Sequence, residues 1–300
     1  MNTLEEKIAR LKKDRNALIL AHNYVPAEVQ DAADFVGDSL ELSIKAKNAA
    51  APLMVFCGVS FMAETAKILS PNSVVLHPVP AAGCPMADMA EADAVRAWRR
   101  AHPDAALIAY VNSTAAVKAE VDICCTSANA EKVVRSIPAG KRILFLPDQN
   151  LGANIAAQTG RALDLWPGFC PTHNRIMPET VLAAKRAHPD ALLLIHPECL
   201  PAAVSHADHA LSTGGMLRFI RESSVKKFII GTEIGILHRM RLENPDKEFI
   251  PLTPRPTCPN MKKLTLESLA DALEQNQHEV ILPVELMDAA RAPIERMLAL

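Results

Sequence analysis

The chain has 300 residues, enough to bury about three quarters of the surface its unfolded form exposes. Hydrophobic residues make up 49% and charged residues 22%, which excludes a disordered, collagen-like or coiled-coil chain. Thirty-two Lys and Arg against thirty-four Asp and Glu leave a formal charge of -2, so no bulk field draws the chain to nucleic acid or to an anionic membrane.

The opening stretch, MNTLEEKIARLKKDR, is charged and periodic and has no apolar signal core. No run reaches the roughly 18 apolar residues of a membrane crossing. A cytoplasmic protein with neither a membrane nor a nucleic-acid partner is therefore expected. A strand-like run at 17–21 leads into His22 and Tyr24. Residues 36–43, VGDSLELS, read as a loop entering a helix that Asp38 or Ser39 can cap. Short apolar runs predict strands at 53–57 and 74–76, with a helix over 64–69. A helix over 86–100 carries Asp88 and Glu91 near its start and Arg99 and Arg100 at its end, in accord with the helix field.

The pattern then restarts. Strands are predicted at 105–109, 121–125 and 143–146, with a helix over 128–136. It restarts again with a helix over 178–187, opened by Pro178, and strands at 191–195, 209–212 and 228–230. Closing helices are expected over 264–273 and 283–298. Strands alternating with helices predict βαβ crossovers and parallel sheets covered on both faces. The expected fold is α/β: three similar three-layer αβα units around a pseudo-threefold axis, with a central active site. The units span 1–84, 85–170 and 171–264, and residues 265–300 close the body. Tyr110 precedes the 121–125 strand far more closely than His22 precedes the 53–57 strand, so the first unit is expected to carry an inserted loop over 25–50.

In parallel sheets ligands sit beyond the carboxyl ends of strands. The polar residues fall there: His22 and Tyr24, Tyr110 with Val111 and Asn112, His196 with Pro197 and Glu198. Ser127 and Thr213 begin predicted helices, where a hydroxyl either caps the helix or holds an anion. Glu198 and His196 form the best acid–base pair. The segment 231–235, GTEIG, reads only as a turn leaving a strand.

Seven cysteines, an odd number in a long chain, do not read as a disulfide scaffold. Cys84, Cys170 and Cys258 each precede proline and recur once per unit. They read either as buried structural thiols or as three ligands of one metal centre. Zinc and an iron–sulfur cluster both suit such thiolates. His173, three residues after Cys170, can reach that centre or a substrate, and Lys262 is a charge partner for thiolate or phosphate. Cys57, Cys124 and Cys125 lie at strand ends and suit core packing, and Cys199 has no assigned role. A zinc lyase or hydrolase and a non-catalytic iron–sulfur scaffold are the competing classes.

Nine strings carry a specific resemblance, in order and over nearly the whole chain. They are AHNY (21–24), GDSL (37–40), FCGVSFMAETAK (56–67), GCPMAD (83–88), YVNST (110–114), DICCTSAN (122–129), LPDQNLG (146–152), HPEC (196–199) and CPNMK (258–262). With them the chain resembles the quinolinate synthase family, the A proteins of de novo NAD biosynthesis. The resemblance implies condensation of iminosuccinate with dihydroxyacetone phosphate to quinolinate, with loss of phosphate and water. It implies a [4Fe-4S] cluster with three cysteine ligands, Cys84, Cys170 and Cys258, and one open iron acting as Lewis acid in dehydration. It places the dicarboxylate on His22, Ser39, Tyr110, Val111, Asn112, Ser127, His196, Pro197, Glu198 and Thr213, and His173 near the triose. Tyr24, Glu198 and His196 take the catalytic roles, and a transient link to an aspartate-oxidising enzyme that supplies the imine is the family expectation.

Overall fold

The computed structural model describes residues 3–253 and 256–300. Its described residues form three parallel sheets of four strands, each flanked by helices. The first sheet holds β1 (Ala17–His22), β2 (Phe35–Gly37), β3 (Leu53–Cys57) and β4 (Val74–Leu76), in the order β2-β1-β3-β4. The second holds β5 (Ala106–Tyr110), β6 (Ile123–Cys125), β7 (Ile143–Leu146) and β8 (Asp164–Leu165), in the order β6-β5-β7-β8. The third holds β9 (Leu192–Ile195), β10 (His209–Ala210), β11 (Lys227–Gly231) and β12 (Glu248–Pro251), in the order β10-β9-β11-β12. The three units have the same topology, as expected from the sequence.

The central strands are continuous apolar runs because helices cover both faces. All five residues of β3 and of β5 are buried. The edge strands are short, and three of them, β2, β8 and β12, are also partly exposed and are not predicted from the sequence for that reason.

Their presence corrects the matching of the units. The topological partner of β3 is β7, not β6, and both are the third strand in chain order of their units. β1 and β3 begin at 17 and 53, β5 and β7 at 106 and 143, β9 and β11 at 192 and 227. These separations are nearly equal, so the stretch 25–50 is no insertion. It holds Ala27–Ala32, β2 and Ser39–Asn48, which correspond to helix, edge strand and helix in the other two units. Both 53–57 and 121–125 end in cysteine, and that likeness outweighed the weak pattern of the three-residue edge strand.

The helix expected over 86–100 is split into a 3-10 turn, Ala87–Met89, and the helix Ala92–Ala101. Asp38 caps Ser39–Asn48 by accepting from Leu40 N and Glu41 N at 3.0 and 2.9 Å. Ser212, not Thr213, caps Thr213–Glu222, accepting from Gly215 N at 3.0 Å. The helices Leu266–Gln275 and Val284–Ala299 pack back on the first two units. No helix among the described residues is long and apolar enough to cross a membrane.

Candidate active site

The carboxyl ends of the three sheets meet around a cavity of about 160 Å³. The central strands deliver His22 at the end of β1 with Tyr24 just beyond, Tyr110 at the end of β5 with Asn112 just beyond, and His196 and Glu198 after β9. The edge strands deliver Asp38 and Ser39, Thr126 and Ser127, and Thr213. Phe61, Met62 and Met86 supply an apolar wall.

A cysteine follows the fourth strand of each unit: Cys84, Cys170 and Cys258, all on the cavity wall. Each is followed by a 3-10 turn, at Ala87–Met89, His173–Arg175 and Met261–Lys263. The cysteine carbonyl accepts from the amide four residues on in all three, so the repeat extends to the loops. Backbone N–H groups face the sulfurs: Met86 and Ala87 for Cys84, His173 for Cys170, Asn260 and Met261 for Cys258. Burial nevertheless pushes the Cys84 thiol up to about 12 and raises those of Cys170 and Cys258.

Glu198 is the electrostatic centre. It is 3% exposed, and its Oε1 accepts from Tyr110 Oη at 2.5 Å. Its Oε2 lies 2.6 Å from His173 Nδ1, and that nitrogen is also 3.2 Å from Cys170 Sγ. Burial opposes ionisation of Glu198, but the His173 ring and the donations from His173 and Tyr110 outweigh it and hold the carboxyl well below its ordinary range. Burial pushes His22 and His196 down to about 3, so both rings are neutral at pH 7. Tyr24 and Tyr110 are both raised well above the ordinary phenol value, first by burial.

The other ring nitrogen of His173, Nε2, is 2.8 Å from Thr232 Oγ1, which is 2.5 Å from Tyr24 Oη. A carboxylate only accepts, so Nδ1 carries the hydrogen toward Glu198. In the tautomer that holds this single ring hydrogen, Nε2 is an acceptor, and Thr232 then donates to His173 and accepts from Tyr24. The result is a directed chain, Tyr24 to Thr232 to His173 to Glu198, drawn from two units, with Tyr110 of the second unit closing it.

A second set of bonds fixes the frame. Glu233 is 0% exposed, and Lys262 Nζ sits 2.9 Å from its Oε1. The same carboxylate accepts from Cys258 N at 3.2 Å and Gly235 N at 2.6 Å. Lys262 also donates to Tyr24 O at 2.5 Å. Its charge is thus spent on a carboxylate and a carbonyl, not on thiolate or phosphate. A Cβ at Gly235 would lie 2.8 Å from the backbone Tyr24 O, too close for a side chain unless the backbone shifts, and would also crowd Lys262 Nζ and Glu233 Oε2.

Of the residues singled out from sequence, the cavity brings together His22, Tyr24, Ser39, Tyr110, Asn112, Ser127, His173, His196, Glu198 and Thr213, with the three cysteines. Val111 and Pro197 are not on its wall. Val111 is fully buried and its N–H donates to Cys125 O at 2.8 Å, while Pro197 O accepts from Asn154 Nδ2 at 2.8 Å. Asn112 Oδ1 is buried without a hydrogen-bond partner, as suits a residue that meets a ligand. The turn at 231–235 carries Thr232 and Glu233 into the site, so it is more than a turn. The signal that could have found them is their place after a third parallel strand. Cys57, Cys124, Cys125 and Cys199 are fully buried, and none lines the cavity.

The cofactor expectation is corrected by the donor geometry. Among the described residues, the group of metal-binding atoms that converge within 4.8 Å is Cys170, His173 and Glu198. That is one thiol, one imidazole and one carboxylate, not the three-cysteine set with an open iron expected from sequence. Cys84 and Cys258 share the cavity wall but stand outside this group. Each unit contributes one cysteine loop to the wall, whereas His173 and Glu198 are brought to Cys170 by its own turn and by the end of β9.

The profile of the quinolinate synthetase A protein family matches residues 6–299. A quinolinate synthase of Geobacter metallireducens is 51% identical over 299 residues, covering 100% of this chain and 98% of its own. One from Dehalococcoides mccartyi is 52% identical over 295 residues, 98% and 97% of the two chains. One from Methanoregula boonei is 51% identical over 297 residues, 99% and 98%.

Proposed function

The chain belongs to the quinolinate synthetase A protein family, and on that premise we propose that it condenses iminosuccinate with dihydroxyacetone phosphate to quinolinate, releasing phosphate and water. The observation that carries this reading is the convergence of strand-end donors from all three units on one buried cavity. The reaction needs two carboxylates held still, protons moved between carbon, nitrogen and oxygen, and hydroxyl groups expelled.

Holding falls to the neutral rings of His22 and His196, the hydroxyls of Ser39, Ser127 and Thr213, and the Asn112 amide. Neutral donors bind a dianion without requiring buried cations to be desolvated. Proton movement falls to the chain ending on Tyr24. When the Tyr24 oxygen takes a proton from the substrate, its own proton passes to Thr232, and that of Thr232 passes to His173 Nε2. The imidazolium so formed lies 2.6 Å from the Glu198 carboxylate, which stabilises it. The reverse order returns a proton to a leaving group. Glu198 thus acts mainly as the anion that charges the relay and holds Tyr110 in place.

The [4Fe-4S] cluster of the family reaction supplies, when bound, a Lewis acid that polarises a leaving hydroxyl. Of the converging donors Cys170 would offer it a thiolate. Seven free cysteines support a cytoplasmic location, and a transient link to an aspartate-oxidising enzyme would supply the short-lived imine. The division into units at 84, 170 and 264 belongs to the same proposal.

The test is an anaerobic assay of the iron–sulfur-loaded protein with both substrates, read as quinolinate by mass spectrometry. Quinolinate formed at a rate that depends on both substrates supports the reading, and its absence from a loaded, folded sample sinks it.

A further inference from the structure

We propose that Arg175 is the phosphate anchor of the triose subsite, at the mouth of the cavity. This rests on the activity proposed above, in which a phosphate monoester enters a cavity that already holds an ionised carboxylate. A phosphate monoester carries up to two negative charges near neutral pH and is costly to desolvate unless a cation meets it. The wall of the cavity must therefore offer positive charge somewhere.

Among the described residues, Arg175 is the only lysine or arginine on that wall. The other cation near it, Lys262, is bound to Glu233 and the Tyr24 carbonyl. Arg175 has no ion-pair or hydrogen-bond partner for its guanidinium among the described residues, whereas Arg96, Arg135 and Arg142 are each held by a carboxylate. It ends the 3-10 turn His173–Arg175, whose first residue reaches down to Glu198 and Thr232. One short turn therefore carries a relay residue inward and a free guanidinium outward.

The surroundings fit an anion. Thr172, Thr257 and Asn260 line the same mouth, and Thr172 Oγ1 donates to Thr257 O at 3.5 Å, which ties the Cys170 and Cys258 loops together. A planar guanidinium can meet two phosphate oxygens at once, which an ammonium cannot. Binding the phosphate at the rim leaves the carbonyl end of the triose directed at Tyr24 and His173. The neutral donors deeper in the cavity are left for the dicarboxylate.

The experiment measures Arg175→Ala and Arg175→Lys in the loaded enzyme, varying each substrate in turn. The expected result is a KM for dihydroxyacetone phosphate raised about ten- to hundredfold in Arg175→Ala, with the KM for iminosuccinate within about twofold of wild type. Arg175→Lys falls between. Calorimetric binding of dihydroxyacetone phosphate alone, which needs no turnover, is expected to weaken by a similar factor. Unchanged calorimetric affinity, or both KM values rising together, overturns the proposal. A wild type that binds the triose phosphate but makes no quinolinate overturns the activity instead, and leaves calorimetry to decide on Arg175.

Discussion

The hydroxyls of Tyr24 and Thr232 lie 2.5 Å apart, joined across 208 residues of sequence and across two units of the fold. Thr232 has His173 Nε2 on its other side at 2.8 Å, so one small hydroxyl bridges the phenol and the imidazole.

Thr232→Val keeps the shape and removes the bridge. Turnover is expected to fall about ten- to hundredfold, the range of a lost buried hydrogen bond in a proton path. Thr232→Ser restores most of it. The check is anaerobic quinolinate formation alongside circular dichroism. A valine variant that turns over like wild type would show that protons reach Tyr24 by another route.

Glu198→Gln preserves size but removes the charge that orients His173 and accepts from Tyr110. It is expected to fold and to turn over at least about a hundredfold more slowly. Near-normal turnover would remove Glu198 from the mechanism.

His22 makes stability sensitive to acid. Its folded pKa is pushed down by burial to about 3 from 6.5. Between these values the unfolded chain binds a proton that the folded chain refuses. The contribution is therefore fully present above pH 6.5 and is lost as pH falls toward 3, at up to about 1.4 kcal/mol per pH unit from this side chain. Urea midpoints taken from pH 7 to pH 5 should fall less steeply in His22→Asn than in wild type. Equal slopes would mean that the ring is not buried neutral.

Lys262→Met leaves the Glu233 carboxylate buried without its cation. Breaking a buried pair costs about 3–5 kcal/mol, and since the Lys262 side chain is 27% exposed the lower end is expected. The double variant Lys262→Met with Glu233→Gln should regain much of that loss in chemical denaturation. A single variant as stable as wild type would place no energetic weight on the pair.

Much was legible before any coordinates. The central strands read as apolar runs, and β3, β4 and β7 fall where expected. Ten polar residues chosen mostly for standing at strand or helix ends do line one cavity, because a parallel sheet delivers its strand ends to the same side. Edge strands β2, β8 and β12 were not legible, since two to four partly exposed residues carry too little periodicity, and the supposed insertion over 25–50 came from that gap.

What sequence by itself determined about this protein is local: which runs are strands, which residues end them, and that the pattern comes three times. These follow from side-chain periodicity over a few neighbouring residues. Only the tertiary structure decided who meets whom. Tyr110 reaches Glu198 across 88 residues, Lys262 goes to Glu233 and Tyr24 instead of a thiolate, and Cys170 converges with His173 and Glu198 instead of two other cysteines. Such contacts depend on how three sheets pack around a shared cavity, and packing is set by shape and burial summed over the whole chain, which no short window of residues contains.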